Sequence, residues 1–488
     1  MYDTVFVFIA ILLICIFTLF AVFYGSPTKP LLLVVSFDGF RYDYVNKNAT
    51  PTLHSLHERG VHSQYMRNVF ITKTFPNHHS IATGLFPSSH GVMASSLYDE
   101  RYGKVISYSE ELWKFGNSVT PLWSLNEKLN HRSGVYMWPG GEFDYQGVLP
   151  TFLTTFKPSV SWTDRVDAVL KWFMDPVTPA NLVFLYFEEP DSHSHLFGPE
   201  SPEVIKQIMR CDNITKYLFD QIAVTGLSSK LNVFLLSDHG MDSVSADRII
   251  NLTHYVNKTK YLTASTSPAL HVIPKKGEFE DVYNALKVAS EVENFTVYKR
   301  DELFERWHYN NERTPPLLLL ADEGFAFDDV LYVPDSHQRN GSRTFGVHGY
   351  DNELQTMHSF FIAVGPLLKK NYTIPPFDSV DLYSLFCKIL GFYSPPTNGS
   401  LSNVISMLKD DTKIKIHWKW ITISGSVILL LCLFIFAVHL MRKARRLEES
   451  NSDYTLLSDR EASEGWVTKS QQECHQADIQ NLIQSEEE

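Results

Sequence analysis

The sequence predicts an α/β fold on a largely parallel central sheet, and three apolar runs carry that prediction. LLLVVSFD (Leu31 to Asp38), NLVFLYFEEPDSHSH (Asn181 to His195) and LNVFLLSDH (Leu231 to His239) each contain a short apolar stretch of strand length. Stretches of helical length separate them, the pattern of parallel strands buried on both faces. Each run leads into a carboxylate or an imidazole. Ligands of open α/β sheets bind beyond the carboxyl ends of the strands, so Asp38, Asp191, His195, Asp238 and His239 are expected to converge there.

Taken in chain order, residues 1–25 read as a signal peptide or an N-terminal anchor. Val5 to Tyr24 is longer than a usual signal core and lacks a basic flank. Residues 26–410 show no repeat, no low-complexity run and no long charge block, and read as one catalytic domain of alternating strands and helices. Leu317 to Ala321 and Phe360 to Val364 are further strand candidates, and Ala168 to Met174 and Val282 to Val288 have helical composition. Residues 411–420 form a stalk with Trp418 and Trp420 at the membrane interface. Residues 421–440 read as a transmembrane helix. Arg442, Lys443, Arg445 and Arg446 follow it, which places residues 441–488 in the cytoplasm and the catalytic domain outside the cell, as in a single-pass type I protein. In that tail, Tyr454 to Leu457 matches a YxxΦ endocytic signal.

Composition supports this layout. A 488-residue chain that is 44% hydrophobic and 13% aromatic can bury a large core. Most of its formal charge of −12 lies in the tail, where eleven Asp and Glu face only Arg460 and Lys469. The rest is close to neutral, so no binding of nucleic-acid duplexes is expected. Asn48, Asn213, Asn251, Asn257, Asn294, Asn340, Asn371 and Asn398 head glycosylation sequons, all between the two apolar segments. Of the five cysteines, only Cys211 and Cys387 fall in the domain, as two buried thiols or one disulfide.

The chemistry centres on Thr74 in ITKTFPNHHSIATG (Ile71 to Gly84). Pro76 suits the first turn of a helix, so Thr74 sits near an N-terminus, either as a cap or where a phosphate is favoured. A threonine hydroxyl attacks only when a base or a metal activates it. Asp38, Asp238 and His239 can supply that metal. Asp191 and His195 have i, i+4 spacing, and His348 lies between glycines in GVHGYDN (Gly346 to Asn352). Hard oxygen and imidazole donors without thiolate suit zinc, with manganese as an alternative.

These motifs, VSFDGFR (Val35 to Arg41), TKTFPNH (Thr72 to His78), EEPDSHSHLFGP (Glu188 to Pro199), SDHGM (Ser237 to Met241) and GVHGYDN, resemble the metal-site motifs of the nucleotide pyrophosphatase/phosphodiesterase family. The resemblance spans nearly the whole domain and implies the alkaline phosphatase-like α/β/α sandwich with two zinc ions. It assigns Asp38, Thr74, Asp238 and His239 to one ion and Asp191, His195 and His348 to the other. Thr74 would be the nucleophile, passing through a phosphorylated threonine before water releases a nucleoside monophosphate. A base would stack between Phe75 and an aromatic beyond YMWPGGE, either Phe152 or Phe156, each of which can also be a plain core residue.

The chain departs from the family pattern twice. Ser95, in HGVMAS (His90 to Ser95), stands where the family has an asparagine that donates to a phosphate oxygen, and Ser194 replaces a glycine. The absence of additional domains resembles the compact type I membrane members. Extracellular nucleotides or dinucleotides are the implied substrates. The alternatives are a lysophospholipid or choline phosphodiesterase, or a weakly active or inactive surface binding protein in which Ser95 has silenced the site.

Overall fold

Alternation within the apolar runs sets the architecture. Leu32 and Val34 enter one hydrophobic core and Leu33, Val35 and Phe37 another, because successive residues of a strand point to opposite faces. The computed structural model describes residues 30–116, 119–332, 344–409, 427, 430–431 and 433–450. The chain divides into two units after Lys409.

In the first unit, β1 (Leu31–Phe37), β2 (Val61–Ser63), β3 (Ser133–Tyr136), β4 (Phe152–Thr154), β5 (Leu182–Phe187), β6 (Leu231–Leu236), β7 (Phe361–Val364) and β8 (Tyr372–Ile374) form one sheet. Their order is β8-β2-β7-β6-β1-β5-β3-β4. Strands β4, β3, β5, β1 and β6 are parallel neighbours, and β7 runs antiparallel to both β6 and β2. The predicted strand at Phe360 to Val364 is therefore present, as the one reversed member.

Helices cover both faces. The helices α1 (Pro51–Arg59), α2 (Thr74–Thr83), α3 (Trp162–Phe173), α4 (Asp191–Phe197), α5 (Pro202–Val224), α6 (Phe279–Ala289) and α7 (Leu382–Leu390) follow in chain order. Ile81 and Ala82 of α2 and most of α7 join the core that holds Leu32 and Val34. Apolar residues of α1, α3 and α5 pack with Leu33 and Val35. The two predicted helical stretches lie in α3 and α6.

Leu317–Ala321 is a strand, but not of the main sheet. It pairs antiparallel with Ala269–Pro274 and Phe295–Lys299 in a separate four-stranded sheet that shares a core with α6. An apolar run reports burial of a strand and not the sheet that receives it.

Cys211 and Cys387 are free and buried, which leaves the two-thiol reading. Among the described residues, no helix is long and apolar enough to cross a membrane. Residues 1–25 and the tail motif at Tyr454 lie outside the described residues, as does part of 421–440. In the second unit, residues 433–450 are helical.

Candidate metal centre

β1 lies between β5 and β6, so three acid-bearing strand ends are adjacent. The Asp38 N–H donates to Phe187 O (2.9 Å), and the Asp191 N–H donates back to Asp38 O (3.1 Å). Gly39 N–H donates to Asp238 Oδ1 (3.2 Å). With φ +66° and Asp191 Cβ only 2.9 Å from where a Cβ would stand, Gly39 admits no side chain in this turn.

Asp191 opens α4, and one turn later His195 places Nε2 3.4 Å from Asp191 Oδ1. His348 arrives through a different device. Asp242–Ser245, just past His239, pairs antiparallel with Thr344–Val347, and this ladder delivers the next residue to the site. His348 Nε2 lies 3.6 Å from Asp191 Oδ1. Asp38, Asp238 and His239 thus offer ligand atoms within 4.8 Å of one another, and so do Asp191, His195 and His348. His239 and His348, one from each group, stack with ring centroids 3.6 Å apart.

Thr74 is the first residue of α2, with Lys73 at the N-cap position and no side-chain cap. The capping alternative is therefore not realised. Thr74 Oγ1 lies instead 3.3 Å from His239 Nε2.

Hydrogen bonds fix the imidazole protons. His239 Nδ1 donates to Gly240 O (2.8 Å), His348 Nδ1 to Thr72 O (2.8 Å) and His195 Nδ1 to Gly346 O (2.9 Å). A carbonyl only accepts, so each neutral ring keeps its Nε2 lone pair on the carboxylate side. Asp38 Oδ1, Asp238 Oδ2 and Asp191 Oδ1 are buried without a hydrogen-bond donor. Lone pairs facing lone pairs favour a cation between them, and each group offers a donor set that could hold a divalent one. Without it, burial, reinforced by Asp238 and Asp191, pushes the Asp38 carboxyl well above the usual carboxylate range. Burial, with His239 beside it, drives His348 well below its ordinary value.

Supporting residues that the sequence reading missed surround these groups. The Tyr186 hydroxyl donates to Asp38 Oδ2 (2.6 Å) and leaves Oδ1 free. Burial, then the charge of Asp38, holds that phenol well above its usual range, so it stays a donor. Its signal was a lone hydroxyl in the apolar run of β5. His78 donates from Nδ1 to Thr74 O (2.8 Å) and accepts from Ser36 Oγ (2.9 Å). Buried Lys73, a cation directly before Thr74, donates to Ser267 O (2.6 Å).

Ser95 is half-buried. Its neighbour Ser96 accepts the Ser265 N–H on both O (2.9 Å) and Oγ (3.1 Å), so the turn that anchors Lys73 also holds this segment. Ser194 fits without strain, its hydroxyl donating to Pro190 O (2.8 Å). Phe75 packs near Tyr108 (5.1 Å between centroids) and Trp113 (5.4 Å). Phe156 is exposed and 6.1 Å from the Tyr186 ring. Phe152 stacks on Trp172 (5.4 Å, 15°) beside the core, the plain packing role. Among the sequon asparagines, Asn48, Asn213, Asn257, Asn294, Asn371 and Asn398 are exposed and Asn251 is half-buried, while Asn340 lies outside the described residues.

Residues 32–351 match the family model described as type I phosphodiesterase / nucleotide pyrophosphatase. The human ectonucleotide pyrophosphatase/phosphodiesterase family member 5 is 39% identical over 390 residues, covering 78% of this chain and 79% of that protein. A human bis(5'-adenosyl)-triphosphatase is 35% identical over 441 residues, covering 88% and 95%. The solved murine family member 5, an inactive threonine-to-alanine variant in complex with AMP, superposes with a TM-score of 0.72 at 40% identity, covering 78% of this chain and 100% of that one.

Proposed function

The chain belongs to the type I phosphodiesterase / nucleotide pyrophosphatase family of hydrolases, and we propose that it cleaves extracellular nucleotides or dinucleotides through Thr74 at a two-zinc centre. The carrying observation is Thr74 Oγ1 at 3.3 Å from His239 Nε2, beside the unpartnered oxygens of Asp38 and Asp238. Asp38, Thr74, Asp238 and His239 would hold one ion, and Asp191, His195 and His348 the other. When bound, the ions supply Lewis-acid charge to the phosphoryl group and to the attacking oxygen.

Thr74 at the start of α2 presents its hydroxyl where a helix N-terminus favours a phosphate. Its oxygen attacks phosphorus, the P–O bond to the leaving group breaks, and a phosphorylated Thr74 carries the nucleoside monophosphate until water displaces it. Ser95 donates to a phosphate oxygen in place of the family's asparagine. Phe75 and exposed Phe156 would sandwich a base. The names of a bis(5'-adenosyl)-triphosphatase and of an AMP complex among the relatives support nucleotide substrates.

We place this domain outside the cell, glycosylated at its sequons and anchored through residues 421–440 as a type I protein, with Tyr454 in the cytoplasmic tail as an endocytic contact. The apolar segment, the four basic residues after it and the exposed sequons support that reading. Product analysis with dinucleoside polyphosphates, NAD-like compounds and lysophosphatidylcholine tests the substrate class. Release of nucleoside monophosphates is expected. Cleavage of the lipid alone would transfer the assignment to the choline phosphodiesterase reading.

A further inference from the structure

The buried face of α3 carries one charge among apolar residues. Trp162, Val166, Val169, Leu170 and Phe173 are enclosed there, and Arg165 is enclosed with them, 0% exposed. An arginine in that position costs stability that an aliphatic side chain would not, unless every donor is matched. All five are matched. Nη1 and Nη2 donate to Glu188 Oε2 (2.6 Å) and Oε1 (3.2 Å) as a bidentate pair, and Trp162 Nε1 donates to the same Oε1 (3.2 Å).

The other three donors reach backbone carbonyls on two sides. Nη1 also donates to Tyr186 O (3.4 Å), near the end of β5. Nε donates to Val160 O (3.3 Å) and Nη2 to Pro158 O (3.2 Å), both in the connection from β4 to α3. Residues 155–159 of that connection are exposed, and Val160 N–H closes a turn onto Lys157 O (3.1 Å). Phe156 lies within this exposed stretch, its ring 6.1 Å from that of Tyr186, whose hydroxyl donates to Asp38. One guanidinium therefore ties the loop of Phe156 to the strand that supports Asp38.

We propose that Arg165 is a positioning residue for nucleotide recognition, fixing the 155–160 loop so that Phe156 is preset opposite Phe75 to take a planar nucleobase between them. An exposed loop held only at its ends samples many conformations, and the freedom lost when a base orders it is subtracted from binding. Anchoring the loop in advance removes that cost. The partners of Arg165 include none of the candidate metal ligands and not Thr74. Its effect therefore falls on the part of the substrate that carries the base, and not on the bond being cleaved. This inference rests on the reading of Phe75 and Phe156 as the base-holding pair.

The test uses the full-length protein and two p-nitrophenyl phosphodiesters, one of thymidine and one of methanol, which share the scissile bond and differ in the nucleoside. Arg165→Lys keeps the charge but cannot span both the carboxylate and the loop carbonyls. KM for the thymidine ester should rise about tenfold with kcat nearly constant, while both constants for the methyl ester move by less than about twofold and metal content is unchanged. Should Arg165→Lys fail to fold, Glu188→Gln, which weakens the same pair at constant volume, should give the same split. Phe156→Ala should raise KM for the thymidine ester by itself, and adding Arg165→Lys should then raise it no further. An unchanged KM in Arg165→Lys, equal losses on both esters, or an effect that adds in full to that of Phe156→Ala would overturn the positioning role alone. An unchanged KM in Phe156→Ala would overturn the base-holding pair and this inference with it.

Discussion

The imidazoles of His239 and His348 lie face to face, 12° from parallel with centroids 3.6 Å apart, although 109 positions separate them in the chain. One belongs to the Asp38–Asp238 group and the other to the Asp191–His195 group, so the stack is a wall shared by two candidate ligand sets. Each ring is held from behind by a carbonyl, Gly240 O or Thr72 O. Movement of one ring must therefore be felt by the other.

His348→Ala should reduce bound zinc from about two equivalents to about one, because three protein donors are the usual minimum for a catalytic ion. The remaining site should also weaken, since His239 loses its stacked neighbour. Equilibrium dialysis with elemental analysis reads both effects, and retention of two tightly bound equivalents would show that His348 is not a ligand.

Tyr186→Phe removes the only hydrogen bond to Asp38 Oδ2 among the described residues. The change should lower metal affinity or turnover by about 10- to 100-fold, the usual effect of losing an outer-shell partner. Chelator titration of both forms measures it, and identical affinity and rate would show that the phenol does not orient Asp38.

Ser95→Asn restores the longer donor expected at this position. If Ser95 limits the transition state, kcat should rise toward the roughly 10²- to 10³-fold range attributed to one such donor, with little change in KM. A near-inactive parent rescued by the change would favour the silenced-site reading. An unchanged kcat would show that this position does not face the reacting phosphate.

Acid should weaken the fold through His79 and His271, both fully enclosed and lowered by burial from 6.5 to about 3. Because the folded pKa is depressed, their contribution is complete above about pH 6.5 and is lost as pH falls toward 3. In chelator, Tm should decline across this window, and His271→Gln should make the decline shallower. Parallel curves for the two proteins would remove His271 from the account.

Much of this architecture was legible in the amino-acid order because burial on both faces leaves continuous apolar runs, as in β1, β5 and β6. The convergence of their terminal acids was legible for the same reason, since parallel neighbours bring strand ends level. Leu317–Ala321 was legible as a strand but its sheet was not, because an apolar run does not record its partner strand. Tyr186 passed as one more core aromatic, and only the three-dimensional placement of Asp38 Oδ2 gives its hydroxyl a purpose. The pairing of Asp242–Ser245 with Thr344–Val347, which explains why His348 reaches His239, leaves no mark at either segment alone. Phe152 and Phe156 were indistinguishable in sequence, and one stacked partner, Trp172, separates them.

The most direct test of the central claim is AMP release from diadenosine triphosphate by the full-length protein, measured for the unmutated chain and for Thr74→Ala with metal content determined in each. The account predicts release that stops on chelation, returns with zinc, and is abolished in Thr74→Ala while the Asp191–His195–His348 group still binds its ion. Release by Thr74→Ala at the parent rate, or a parent rate indifferent to metal removal, would contradict it.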